Sequence, residues 1–200
     1  MTDDGLGNQL RARTTMLVIF LGAMWLVLGF DCLFRFCAPP HGFGIVPRQS
    51  GALAGIMTAP FIHAGPLHLI HNTIPLAVLG AIILINGIAE FLIVVLSSMM
   101  VGGFGTWLFG ASNTEHIGAS GVVFGFFGYL LFRTLFERRI SYVLITLIIA
   151  AYYGMSMLGS LIPQEHISWT GHAFGLLGGL TAARIRHKRP EAIGLLPTDT

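Results

Sequence analysis

Three short stretches of the 200-residue chain carry side chains fit for acid-base or nucleophilic chemistry. The first holds His63, His68, His71 and Asn72. His68 and Asn72 stand four apart, so on a helix they share one face and offer two donors to the same side. Such a pair either hydrogen-bonds neighbouring helices or serves a reacting group. A metal reading of the three histidines lacks the H-E-x-x-H pattern and a nearby carboxylate, so neither a metal nor another cofactor is expected. The second stretch is Gly118-Ala119-Ser120-Gly121, followed by Gly125 and Gly128. It sets Ser120 near a helix N-terminus, where unpaired backbone N–H groups and the helix dipole favour a developing negative charge. A serine there is a helix cap or a nucleophile. The G-x-S-x-G elbow of soluble hydrolases is not met, because Val122 takes the place of the last glycine.

The third stretch is Gly171-His172, followed by Gly175, Gly178 and Gly179. Gly171, Gly175 and Gly179 make a small-xxx-small ridge that lets another helix backbone approach closely. Gly121, Gly125 and Gly128 give a matching stripe, so the two helices are expected to nest and bring His172 within hydrogen-bond reach of Ser120. No aspartate or glutamate stands in the outer half of the last apolar run to orient His172, and a Ser-His dyad is the most that these residues support. His172 would take the proton from Ser120 and return it to a leaving amine. The oxyanion and substrate-binding set would be His68, Asn72, Gly118 and Ser120, the last through its backbone N–H.

The elements that must position these groups are membrane helices. Apolar residues make up 54% of the chain, charged residues 10%, and the mean hydropathy is +0.77. A soluble domain of this size would carry about 25% charged residues. The formal net charge of +2 comes from short basic clusters between apolar runs, not from one basic face, so nucleic acid is not an expected partner. A bilayer core about 30 Å thick asks for about 20 apolar residues per helix. Six runs qualify, at 14–37, 66–86, 89–109, 119–137, 140–161 and 169–187. The fold class is therefore an all-α membrane protein, a bundle of six transmembrane helices.

Orientation follows the positive-inside rule. With the N-terminus inside, Arg11, Arg13, Arg133, Arg138, Arg139, Arg184, Arg186, Lys188 and Arg189 are cytoplasmic, and only Arg35 and Arg48 face outward. The three chemical stretches then share one depth, just inside the outer boundary. Residues 1–13 and 188–200 read as polar, mobile cytoplasmic tails around a six-span domain at 14–187. The connection from Ala38 to Gly65 holds four prolines and amphipathic turns, and is expected to lie partly in the outer interface. Cys32 and Cys37 suggest neither a disulfide nor a metal site. Asp31 and Arg35 can pair on one face. His41, His116 and His166 read as solvated loop histidines.

These motifs resemble the rhomboid family of intramembrane serine proteases. The likeness rests on HxxxxHxxxN at His63, His68 and Asn72, on GxSG at Gly118 to Gly121, and on Gly171-His172 with its following glycines. It implies a minimal six-span bacterial-type member, with Ser120 as nucleophile, His172 as general base, His68 and Asn72 at the oxyanion hole, and His63 as a structural histidine. The family often has tyrosine four residues after the nucleophile; Phe124 stands there and keeps the ring while losing the hydroxyl. The Trp-Arg pair common in the first long loop is not evident, and Arg48 is the nearest counterpart. The expected substrates are single-span membrane proteins, unwound near their outer end and admitted beside the fifth span under a lid at Ile162 to Ser168. The expected location is the plasma membrane of a bacterium, with lipid around the bundle. The alternative is a catalytically inactive relative that binds membrane helices. A haem or metal protein, or a small transporter lacking any charge at mid-membrane, fits less of the pattern.

Overall fold

A computed structural model describes residues 3–38, 42–137, 139–164 and 167–188. Its helices are α1 (Asp3–Arg35), α2 (Gly55–Thr58), α3 (Pro66–Leu84), α4 (Ile88–Phe109), α5 (Ser120–Glu137), α6 (Ile140–Gly159) and α7 (Trp169–Lys188). Short 3-10 turns at Ser50–Ala52 and Ala59–Phe61 flank α2. Among the described residues, α1, α3, α4, α5 and α6 are long and apolar enough to cross a membrane. The chain is an all-α, multi-span membrane bundle. Helix α7 has the length of a span but not the same apolarity, because four glycines and the basic end Arg184 to Lys188 dilute it.

Five of the six expected runs match a helix to within two residues at each end. The first differs, since α1 starts at Asp3 and includes residues expected in a mobile tail. Once a membrane helix is nucleated, each added residue costs little. Arg13 also donates to the Ile85 carbonyl beyond the end of α3 (3.0 Å) and to Gln9 (3.3 Å), tying this extension to the bundle. Of the expected C-terminal tail, residues 189–200 lie outside the described residues.

Helix α7 lies in a trough formed by α4 and α5, and glycine makes the trough. A β-carbon at Gly175 would overlap the Gly121 carbonyl, one at Gly179 the Gly125 carbonyl, and one at Gly178 would stand 2.7 Å from the Ser98 Cα. The matching stripes expected on α5 and α7 therefore meet backbone to backbone. Around them lies a core of Leu76, Leu79, Ile83, Phe91, Val94, Phe126 and Tyr129, all buried. Phe20 of α1 reaches this core through the rings of Phe61 and Phe91. Elsewhere α1 and α6 turn large apolar side chains outward, among them Leu26, Leu33, Ile148 and Met155. In a bilayer those faces meet lipid.

The long connection docks on the bundle. Ile45 exchanges backbone hydrogen bonds with His116 (2.9 Å each way). Arg48 donates to the Leu108 carbonyl (2.9 Å) and to Ser112 (2.7 Å), while its backbone N–H reaches the Trp107 carbonyl (3.0 Å). A cation at these last carbonyls of α4 also complements the helix dipole. Two smaller expectations fail. Cys32 and Cys37 form a disulfide. The reason is the turn after α1: Phe36 and Cys37 take positive φ, and the Cys37 N–H folds back onto the Asp31 carbonyl (3.1 Å). No ion pair joins Asp31 to Arg35, because Asp31 turns inward with Met24 and Leu28 while Arg35 is exposed.

At the opposite end of the bundle a charged cluster joins four helices. Glu90 of α4 accepts from Arg133 of α5 (2.6 Å), Arg186 of α7 (2.9 Å) and the Tyr129 hydroxyl. Arg133 also binds Glu137 (2.7 Å) and the Tyr142 hydroxyl of α6 (2.7 Å). Glu90 is buried, so its charge is compensated by two guanidinium groups rather than by water.

Candidate active site

Ser120 is the first residue of α5 and His172 stands in the first turn of α7. The glycine seam sets these two helix starts side by side, and Ser120 Oγ lies 2.9 Å from His172 Nε2. The other ring nitrogen, Nδ1, lies 2.9 Å from the Ser160 carbonyl at the end of α6. A carbonyl can only accept, so Nδ1 carries the proton and Nε2 is left to accept from the serine hydroxyl. The Phe124 ring stacks on the imidazole at 4.2 Å with the planes 6° apart. The histidine is thereby held by a bond at one edge and a ring on one face. The ring expected at position 124 does stack, without the hydroxyl.

His68 and Asn72 lie across the groove on α3. The Ala64 N–H donates to His68 Nδ1 (3.3 Å), which leaves Nε2 as the protonated nitrogen. That edge of the ring faces Gly118, where a β-carbon would stand 2.8 Å from Nε2. Gly118 also has φ +107°, a conformation that side chains rarely adopt, so glycine is required here twice over. Its N–H is engaged by the Ala59 carbonyl (2.9 Å). Asn72 gives one amide hydrogen to the His68 carbonyl (2.9 Å) and has a second to spare. The N–H of Ser120 makes no hydrogen bond among the described residues, as expected at the start of a helix.

His63 lies beneath this site, fully buried, and accepts from the Ala119 N–H (3.4 Å) just before α5. Burial lowers its pKa to about 4, with His68 adding to the effect and the Phe61 carbonyl opposing it. A neutral His63 thus supports the loop carrying Gly118. His71 is exposed on the wall of the groove, so His63, His68 and His71 do not converge on one point.

A cavity of about 1460 Å³ opens onto the pair and is bordered by His68, Asn72, Ser120, Phe124, Tyr153 and His172. A second cavity, about 40 Å³, touches Ser120 from the other side and is lined in part by Ser98, Thr106, His116 and Ser168. Ser98 and Thr106 donate to carbonyls of their own helix (2.6 and 2.8 Å), so they present lone pairs to that space. His116, expected as a solvated loop histidine, is instead half-buried. It bonds Ser168 (2.7 Å) and Thr114 (2.9 Å), and burial lowers its pKa. His41 and His166 lie outside the described residues, as does part of the expected lid. Two groups at the site escaped the sequence. The Ser160 carbonyl is a backbone atom with no residue-type signal, and the burial of His116 follows from the docking of the distant Ile45 segment.

A family model described as the rhomboid domain matches residues 50–189. The chain is 38% identical over 148 residues to an uncharacterized protein of Mycobacterium tuberculosis, a match covering 70% of this chain and 62% of that protein. YdcA of Bacillus subtilis is 30% identical over 175 residues, covering 82% of this chain and 83% of its own length. The rhomboid protease GluP of the same organism is 33% identical over 134 residues, 64% of this chain and 25% of that protein. The matched region spans less than two thirds of the mycobacterial relative's length. A family match over most of the chain joins the polar residues and glycine seams already described, and on these grounds the chain belongs to the rhomboid family.

Proposed function

We propose that the chain is an intramembrane serine endopeptidase that cleaves single-span membrane proteins near their outer end through a Ser120-His172 dyad. The observation that carries this reading is the 2.9 Å approach of Ser120 Oγ to His172 Nε2, with Nδ1 held by a carbonyl. As Ser120 attacks the scissile carbonyl, its proton passes to Nε2. The imidazolium is then stabilised at Nδ1 by the Ser160 carbonyl, a weaker partner than a carboxylate. The oxyanion would meet the Ser120 N–H, the His68 Nε2–H and the free hydrogen of Asn72, each such donor typically worth about 100-fold to 1000-fold in turnover. Gly118 serves by leaving room for His68, since its own N–H is engaged. His172 returns the proton to the leaving amine, and water reaching Ser120 through the open cavity releases the acyl group.

In this reading α7 is the sixth span, both ends of the chain are cytoplasmic, and the membrane is a bacterial plasma membrane. The charge distribution supports it: Arg11, Arg13, Arg184 and Arg186 lie at the end away from Ser120. The substrate would enter between α3 and α6. Helix α6 is held near its start by Tyr142 and by Thr146, which donates to the Leu130 carbonyl (3.0 Å), while Tyr152, Met155 and Leu158 near its far end are exposed. A helix of the substrate must expose a peptide bond to be cut, so sequences with glycine near the outer boundary, where a helix is weaker by about 1 kcal/mol per residue, are the favoured class.

Purified protein in liposomes, given a panel of single-span helices, tests the proposal. Cleavage is expected with the wild type and a loss of at least about 1000-fold with Ser120→Ala or His172→Ala. Product formation that persists in both variants would end the dyad reading.

A further inference from the structure

The glycine seam between α5 and α7 sets how close the two helices stand. Backbone lies on backbone at Gly121, Gly175 and Gly179, the Ser98 side chain of α4 fills the space beside Gly125, and Leu176 of α7 packs on Gly128. The reacting groups sit at one end of that seam, where a slide of about 1 Å can cost about 100-fold in rate. At that end a hydrogen-bonded chain outside the dyad links the segment before α5 to the start of α7.

His116 stands four residues before Ser120, and Ser168 four before His172. Their side chains meet, with His116 Nδ1 2.7 Å from Ser168 Oγ. Ser168 in turn holds the start of α7: its Oγ accepts from the Gly171 N–H (3.2 Å) and its carbonyl accepts from the His172 N–H (3.0 Å). On the other side, His116 Nε2 lies 2.9 Å from Thr114 Oγ1, whose hydroxyl donates to the Ala111 carbonyl (2.7 Å). Only one direction satisfies the chain. Thr114 has spent its hydrogen on Ala111, so it accepts from His116 Nε2–H, and Nδ1 accepts the Ser168 hydroxyl. The His116 backbone is pinned as well, by both hydrogen bonds to Ile45.

We infer that His116 is a positioning residue, a strut that locks the segment entering α5 to the first turn of α7 and so sets the meeting of Ser120 with His172. The inference rests on the dyad reading of those two residues. His116 does not itself touch the pair; it acts through Ser168, which anchors the amide of His172. Histidine suits the place because a neutral imidazole accepts at one nitrogen and donates at the other across a rigid ring.

The test uses the full chain in detergent with a single-span reporter. His116→Ala is expected to lower kcat about 10-fold to 100-fold with a much smaller change in KM, because His116 is one of many side chains bordering the cavity while its loss misplaces the pair itself. Ser168→Ala should match it, and the double variant should be no worse than the poorer single one, as for two ends of one link. His116→Asn, whose side-chain oxygen can still accept from Ser168, should recover at least about tenfold of the loss. Losses that multiply in the double variant, a change confined to KM, or wild-type rates in both single variants would overturn the inference. If His116→Ala does not fold, Ser168→Ala and His116→Asn decide: a deep kcat loss in the first with near wild-type activity in the second supports the strut, and any other pairing refutes it. The same assay with Ser120→Ala and His172→Ala separates the two failures. If those variants are dead while His116→Ala is fully active, the dyad stands and the strut falls.

Discussion

Helices α7 and α6 both border the groove, yet they are held in opposite ways. Helix α7 is wedged between α4 and α5 so closely that several of its glycines admit no β-carbon. Helix α6 buries only Thr146, Ile149, Gly154 and Met157, packs Ile145 and Tyr153 partly on the core, and leaves about half of its residues exposed. The difference teaches where precision is kept. The serine and histidine ride on the inseparable pair, and the helix that borders the opening is the one with least to lose by shifting. Packing at van der Waals contact gives α7 one position, whereas a lipid-facing helix loses little when it trades protein neighbours for acyl chains.

The sharpest way to break this contrast is to force the seam. Gly175→Val adds a branched side chain where a single β-carbon already overlaps the Gly121 carbonyl, so neither helix can relax locally. Cleavage activity should fall at least about 1000-fold and the thermal midpoint in detergent should drop. A folded, active variant would show the seam to be soft.

Acid probes the support beneath the serine. His63 has a folded-state pKa of about 4 against 6.5 when exposed, so the unfolded chain binds the extra proton. The stability from its neutral form is fully present above pH 6.5 and is lost as pH falls toward 4, by about 3 kcal/mol. A thermal-midpoint series from pH 7.5 to 4 should show that decline, and His63→Gln should flatten it. The smallest effect belongs to α6. Met155→Ala, at a side chain 82% exposed, should leave stability within about 0.5 kcal/mol in the same thermal assay. A large loss there would mean that the far end of α6 is anchored after all.

Much of this arrangement was legible because polar residues in apolar runs are costly and so carry information. Ser120, His172, His68 and Asn72 stood out for that reason, and the glycine spacing pointed to which helices would touch. The same logic applied to Arg133 and Arg186 led elsewhere. Arg133 and Arg186, near the ends of apolar runs, read as topology markers, since lysine and arginine there usually reach for the interface, and Glu90 drew no reading at all. Their convergence across 43 and 96 residues of sequence is a property of the fold, not of any one segment. Backbone groups were the other blind spot. The positive φ values of Phe36 and Cys37 make the turn that brings Cys37 back toward Cys32, and neither residue type announces such a turn.

The histidine's acceptor belongs to the loosely held helix. His172 lies on the rigid pair, but the oxygen that fixes its tautomer is the Ser160 carbonyl, at the end of α6. A displacement of α6 wide enough to admit a peptide would carry that oxygen away and leave the imidazole free to turn. Admission and readiness would then alternate: the base would be aligned only after the door had swung shut behind its guest, and a helix lingering in the doorway would face an idle serine.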